Sequence, residues 1–257
     1  MIPLSDDNPT LRMPFVTWLI LGGIVATWVL FQGAGFDEPA LLASVCNLGM
    51  VPGELTGGAP IGSGIRMGPE MACLIDSEPV NLLTPVTSMF LHGSWSHLIG
   101  NALFLWVFGN NVEDSMGRVR FPIFYLLCGL AAAAAHVVVQ PSSPVPTVGA
   151  SGAISGVLGA YLVLYPRVRV NMLFIFVIFF KVIPLPAWLV LIWWFAWQVI
   201  AGLPELTQVA ESASGGVAVW AHVGGFVAGA VLVKLFENDR LVDTRTAIRH
   251  QLHPEHP

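Results

Sequence analysis

Six long apolar runs, at roughly 14–32, 95–113, 119–139, 148–166, 184–203 and 216–236, set the terms on which this chain can fold. A helix across a hydrocarbon core of ~30 Å takes about 20 predominantly apolar residues, and each run is close to that length. Composition agrees: 55% of the 257 residues are hydrophobic, 11% are charged and the mean hydropathy is +0.72, whereas a soluble domain carries roughly a quarter charged residues. The expected fold is all-α, a polytopic membrane protein built as a bundle of six transmembrane helices. A seventh apolar stretch, NMLFIFVIFF at 171–180, is short and is followed by Lys181 and two prolines. It reads as an interfacial or re-entrant connection between the fourth and fifth helices.

The positive charges orient the bundle. Arg12 precedes the first run, Arg118 and Arg120 lie between the second and third, Arg167, Arg169 and Lys181 between the fourth and fifth, and Lys234, Arg240, Arg245 and Arg249 at or beyond the end of the sixth. Arg66 alone falls on the other side. Cytoplasmic loops carry the excess of Lys and Arg, so both termini are expected in the cytoplasm, which an even helix count also requires. The organisation that follows is a cytoplasmic N-terminus (1–13), a membrane domain (14–236) with a large outer loop (33–94), and a cytoplasmic tail (237–257). The outer segments 33–94 and 204–215 hold eight acids against one arginine. No small-residue cleavage site follows the first run, so a removable signal or transit peptide is not expected.

Two of the three cysteines, Cys46 and Cys73, lie in the outer loop, where an oxidising compartment permits a disulfide. The other reading is two unrelated small apolar residues. Cys128 falls inside the third run.

Polar side chains within the runs are costly unless satisfied, which makes each a candidate functional residue. They are His97 and Asn101 in the second run, His136 in the third, Ser151 and Ser155 in the fourth, Gln198 in the fifth and His222 in the sixth. His97 and Asn101 are four apart and share a helix face. Ser151 lies sixteen residues before Arg167, about 24 Å at ~1.5 Å per residue, and His222 precedes Lys234 by twelve, about 18 Å. His97, Asn101, Ser151 and His222 therefore reach a similar depth near the outer side. A serine needs a base to take its proton, and histidine titrates in the useful range. Asn101, His97 and the backbone at the start of the fourth helix can serve a developing oxyanion. No acid sits within a helix at the depth of His222, so the pattern favours a Ser–His dyad over a triad.

Packing alone accounts for part of this. Gly152–Gly156 and Gly225–Gly229 both have GxxxG spacing, which lets membrane helices approach closely. It does not account for two histidines and an asparagine at one depth. His136 reads as a structural hydrogen-bonding residue, Gln198 as one that bonds a neighbouring helix or backbone, and Ser155 can bond back to a carbonyl of its own helix. His92 and His97 are five apart with no cysteine or carboxylate nearby, so no metal site is expected. His250, His253 and His256 belong to a polar tail. No cofactor and no nucleic-acid partner is expected.

GASG at 149–152, HLIGN at 97–101 and AHVGGFVAG at 221–229, in this order on six apolar runs, resemble the rhomboid intramembrane serine proteases. The likeness runs from about 81 to 234 and includes GNNVED (109–114) and LPAWLVLIWWFAWQ (185–198). It implies that Ser151 is the nucleophile, His222 the general base, and His97, Asn101 and the Ser151 amide the oxyanion site. Gly149 and Gly152 would leave room for a substrate backbone, Glu113 would stabilise the fold by hydrogen bonding, and the fifth helix with loop 204–215 would form a lateral gate and cap. The implied partners are transmembrane protein substrates in the lipid bilayer, and the compact form suggests a bacterial inner membrane. The chain departs from some relatives in two ways. Ser155 stands where an aromatic can stack on the catalytic histidine, so the base must be oriented differently, and the outer loop lacks a Trp-Arg pair. A non-catalytic relative that binds and escorts transmembrane helices is the alternative; a transporter or channel would need charged residues along a pore, which the six runs do not offer.

Overall fold

A computed structural model describes residues 2–67, 72–176, 179–207, 218–242 and 244. Most of the cap expected at 204–215, the start of the sixth run at 216–217, and His250, His253 and His256 lie outside the described residues. The chain begins with a strand, β1 (Ile2–Asp6), and the first apolar helix, α1 (Phe15–Leu30). The outer loop then forms α2 (Glu38–Leu48), α3 (Pro52–Thr56), a small hairpin of β2 (Gly64–Arg66) and β3 (Ala72–Leu74), and the single turn α4 (Thr84–Thr87). The second run is α5 (Trp95–Phe104), a π-turn (Leu105–Gly109) and α6 (Asn110–Met116), and the third is α7 (Arg120–Val139). After α8 (Ser151–Leu164) come two strands, β4 (Arg169–Phe176) and β5 (Phe179–Pro186), then α9 (Ala187–Thr207) and α10 (Val219–Phe236).

Each of the six apolar runs thus contains helix, although the first three residues of the fifth run belong to β5. Among the described residues three helices are long and apolar enough to cross a membrane, namely α7, α9 over Ala187–Leu206, and α10; α1 and α8 are apolar but shorter. Large apolar side chains such as Leu30, Trp193, Trp197, Val231 and Leu235 stand exposed on the outside of the bundle, which is where lipid contacts a membrane protein.

The all-α expectation needs correction. The run at 171–180, expected as an interfacial or re-entrant connection between the fourth and fifth helices, lies in its described part in a pair of strands: β4 and β5 pair antiparallel from Arg169↔Pro186 to Phe176↔Phe179, and β1 joins the free side of β4 to give the order β1-β4-β5. The run is rich in Phe, Ile and Val, which suit a pleated strand. Pro184 and Pro186 are tolerated because β5 is an edge strand and needs fewer N–H donors. The central strand β4 contains no proline.

The start of α1 and the end of the second run are tied together by the GNNVED segment. The Glu113 carboxylate accepts from Val16 N (3.0 Å), Thr17 N (2.7 Å) and Thr17 Oγ1 (2.8 Å), satisfying N–H groups that the first turn of α1 cannot bond internally. Asp114 accepts from Leu11 N at 2.7 Å and Arg12 Nε at 3.0 Å. Tyr161 on α8 and Asn111 on α6 both donate to the Asp6 carboxylate, which anchors β1 to the bundle. Glu113 therefore has the hydrogen-bonding role that the family resemblance implied.

α8 packs against α7 and α10 through glycines. A Cβ added at Gly225 would lie 2.0 Å from the Gly152 carbonyl oxygen, and one at Gly229 would lie 1.9 Å from that of Gly156. No side chain fits either place, so the GxxxG spacing does bring two backbones into contact. In the outer loop, Cys46 and Cys73 form a disulfide that joins α2 to the β2–β3 hairpin.

Candidate active site

Ser151 is the first residue of α8, three residues later than the apolar run alone suggested. The helix cannot start earlier because Gly149 has φ +130°, a conformation that L side chains rarely adopt. Its N–H donates to the Ser88 carbonyl at 2.9 Å, fixing the loop that delivers Ser151. The opening N–H groups of a helix have no intrahelical acceptor, and Ser151 is the first residue of this one.

His222, in the first turn of α10, is brought across the glycine seam. Its Nε2 lies 2.7 Å from Ser151 Oγ, and its Nδ1 lies 2.9 Å from Gln198 Oε1 on α9. The Trp194 ring, one turn before Gln198 on the same face, lies 5.8 Å from the imidazole at 36°. Gln198 was expected to bond a neighbouring helix or backbone; its partner is the histidine. A Gln oxygen can only accept, so Nδ1 carries the proton and the Nε2 lone pair faces the serine hydroxyl. Ser155, the position lacking an aromatic, donates to the Ser151 carbonyl at 2.6 Å as anticipated.

The third element is the start of α5. Ser94 caps this helix by accepting from His97 N at 3.2 Å. The His97 ring lies against Gly149 so closely that a Cβ there would be 2.6 Å from its Cε1. Asn101 is buried and its Nδ2 lies 2.9 Å from His92 Nε2. His92 had been weighed only as a metal ligand. Its ring meets that of His97 edge-on at 5.0 Å, and burial, together with His97 beside it, brings its pKa down to about 3. It is therefore neutral at physiological pH, and its Nε2 can accept one N–H of the Asn101 amide while the second N–H stays available. Gln32, fully buried after α1, clamps the His92 backbone on both sides: His92 N donates to Gln32 Oε1 and Gln32 Nε2 donates to the His92 carbonyl, each at 2.8 Å. Sequence reasoning missed both His92 and Gln32.

Ser151, Gly149 and His97 line a cavity of about 1260 Å³, while His222 and Asn101 stand buried behind it. Met50 and Ile65 of the outer loop contribute to its wall. Gly152 also lines the cavity, but its missing Cβ faces Ala132 of α7 at 2.7 Å, so helix packing is what requires glycine there. His136 bonds Thr147 Oγ1 at 3.1 Å, the structural role expected of it. Among the described residues no cluster of His, Cys, Asp and Glu could hold a metal ion.

Comparison with known proteins places the same segments in a family. The profile of the Rhomboid domain matches residues 80–238, more than half of the chain, including His92, His97, Asn101, Ser151, Gln198 and His222. This chain belongs to the rhomboid family. It is 29% identical over 165 residues to RHOMBOID-like protein 5 of Arabidopsis thaliana, covering 60% of this chain and 53% of that protein. It is 42% identical over 93 residues to Rhomboid protease GluP of Bacillus subtilis (strain 168), covering 36% of this chain and 17% of the relative. Rhomboid protein 1, mitochondrial, of Saccharomyces cerevisiae is 29% identical over 156 residues, 57% of this chain and 39% of that protein. The chain thus spans about half or less of the length of these relatives.

Proposed function

We propose that this protein is an intramembrane serine endopeptidase that cleaves transmembrane segments of membrane proteins with a Ser151–His222 dyad. The observation that carries the reading is the 2.7 Å approach of His222 Nε2 to Ser151 Oγ at the wall of a large cavity. His222 Nε2 takes the hydroxyl proton as Ser151 Oγ attacks the scissile carbonyl, then returns it to the leaving amine. The negative oxygen of the tetrahedral intermediate is met by the Ser151 N–H, His97 and Asn101. Water entering the cavity then hydrolyses the acyl-enzyme, with His222 again as base. Because a substrate helix satisfies its own carbonyls, it must unwind locally to reach Ser151, so small or helix-breaking residues are expected near the cleavage point.

In this reading the chain crosses the membrane six times with both termini cytoplasmic, and α9 is the gate by which substrate enters. Relatives are named as bacterial, mitochondrial and chloroplastic proteins, so the bacterial inner membrane rests on the sequence and is checked by fractionation. Ser151→Ala and His222→Ala should each abolish cleavage of a transmembrane reporter while the protein stays folded. Full cleavage by Ser151→Ala would overturn the proposal. A helix-binding escort without catalysis would leave Ser151 unlabelled by a serine-reactive fluorophosphonate.

A further inference from the structure

The dyad has an orienting partner on the helix that flanks it. A neutral imidazole has two tautomers, and only the one with the proton on Nδ1 can take the serine proton at Nε2. In water the two interconvert freely, so something in the site must choose. The only side-chain acceptor bonded to His222 Nδ1 among the described residues is Gln198 Oε1, at 2.9 Å. Gln198 lies one turn from Trp194, whose ring covers the imidazole. Both belong to α9, the least buried of the three span-length helices: 17% of its apolar window is buried against 33% for α7 and 39% for α10.

We propose that Gln198 is a positioning residue that selects the Nδ1–H tautomer of His222, so that the base is correctly set only while α9 is docked on α10. This rests on the dyad reading above and adds a coupling to it. A displacement of α9 that admits substrate lengthens the Gln198–His222 bond, and re-docking restores the tautomer before attack. Substrate admission and activation of the nucleophile are thus linked by one hydrogen bond, which no acidic third member would be needed to supply.

The test uses the full chain in liposomes with a transmembrane reporter, and His-selective ¹⁵N NMR of the same chain in micelles, with the His222 signal assigned by its loss in His222→Asn. Gln198→Leu should lower kcat about tenfold, the value of one hydrogen bond, with KM and thermal midpoint unchanged, and should redistribute His222 between tautomers. Gln198→Glu keeps an acceptor at the same place and should restore kcat to within about threefold of wild type. Wild-type kcat with an unchanged tautomer in Gln198→Leu would overturn the proposal, as would a loss confined to KM or to folding. If the wild-type chain neither cleaves nor reacts with fluorophosphonate, the protease reading falls, while the tautomer comparison still decides the role of Gln198.

Discussion

α10 meets two of its neighbours, α8 and α9, in opposite ways. Against α8 it presents glycines, with backbone on backbone and no room for a methyl group at Gly225 or Gly229. Against α9 it presents rings: Phe226 stacks on Phe195 at 4.6 Å and approaches Trp194 at 6.0 Å. Close-packed glycine seams have one geometry, because any separation forfeits many short contacts at once. Aromatic contacts slide and tilt at little cost. The Cα positions of Ser151 and His222 are therefore fixed by the rigid seam, while the rotation and covering of the His222 ring depend on the softer one. On the proposed function, a site that must both hold two catalytic groups and admit a whole helix needs that division.

Substitutions can break either side of the comparison. The largest effect is expected at Gly229→Leu, where a side chain must displace the Gly156 carbonyl; overpacking of this kind costs about 3 kcal/mol or more. The unfolding midpoint in mixed micelles should fall steeply and activity should disappear with it. Gly149→Ala is next. It combines a φ that Ala rarely adopts, costing about 1–3 kcal/mol, with a collision against His97. Here activity should fall far more than the unfolding midpoint, which separates damage to the site from damage to the seam. The smallest effect is expected at Phe195→Ala, about 1–2 kcal/mol for a half-buried stacked ring. Fluorophosphonate labelling of Ser151 should persist in this variant. If it unfolded as completely as Gly229→Leu, α9 would be as rigidly held as α8 and the contrast would be lost.

The rigid half was the legible half. GxxxG is a local pattern, so Gly152, Gly156, Gly225 and Gly229 pointed to the seam, while Ser151 and His222 were legible separately, as polar residues at one depth within apolar runs. The hydrogen bond of Glu113 to α1 came through the resemblance in the same way. The sheet was hidden because β4 and β5 show no alternation of apolar and polar residues, and because β1 pairs with β4 across more than 160 residues. Gln198 was visible as a lone amide in an apolar helix, but its partner depends on how α9 is rotated, which no spacing encodes. His92 was overlooked because a separation of five places no residue on the helix face of His97. Only when the segment before α5 folds back do His92 and Asn101 meet.

The most direct measurement is fluorophosphonate labelling of the purified chain together with cleavage of a transmembrane reporter, for wild type, Ser151→Ala and His222→Ala. The account predicts one labelled serine, Ser151, and cleavage in the wild type alone, with both variants folded, unlabelled and inactive. Undiminished cleavage by folded Ser151→Ala, or labelling that persists without His222, would contradict it.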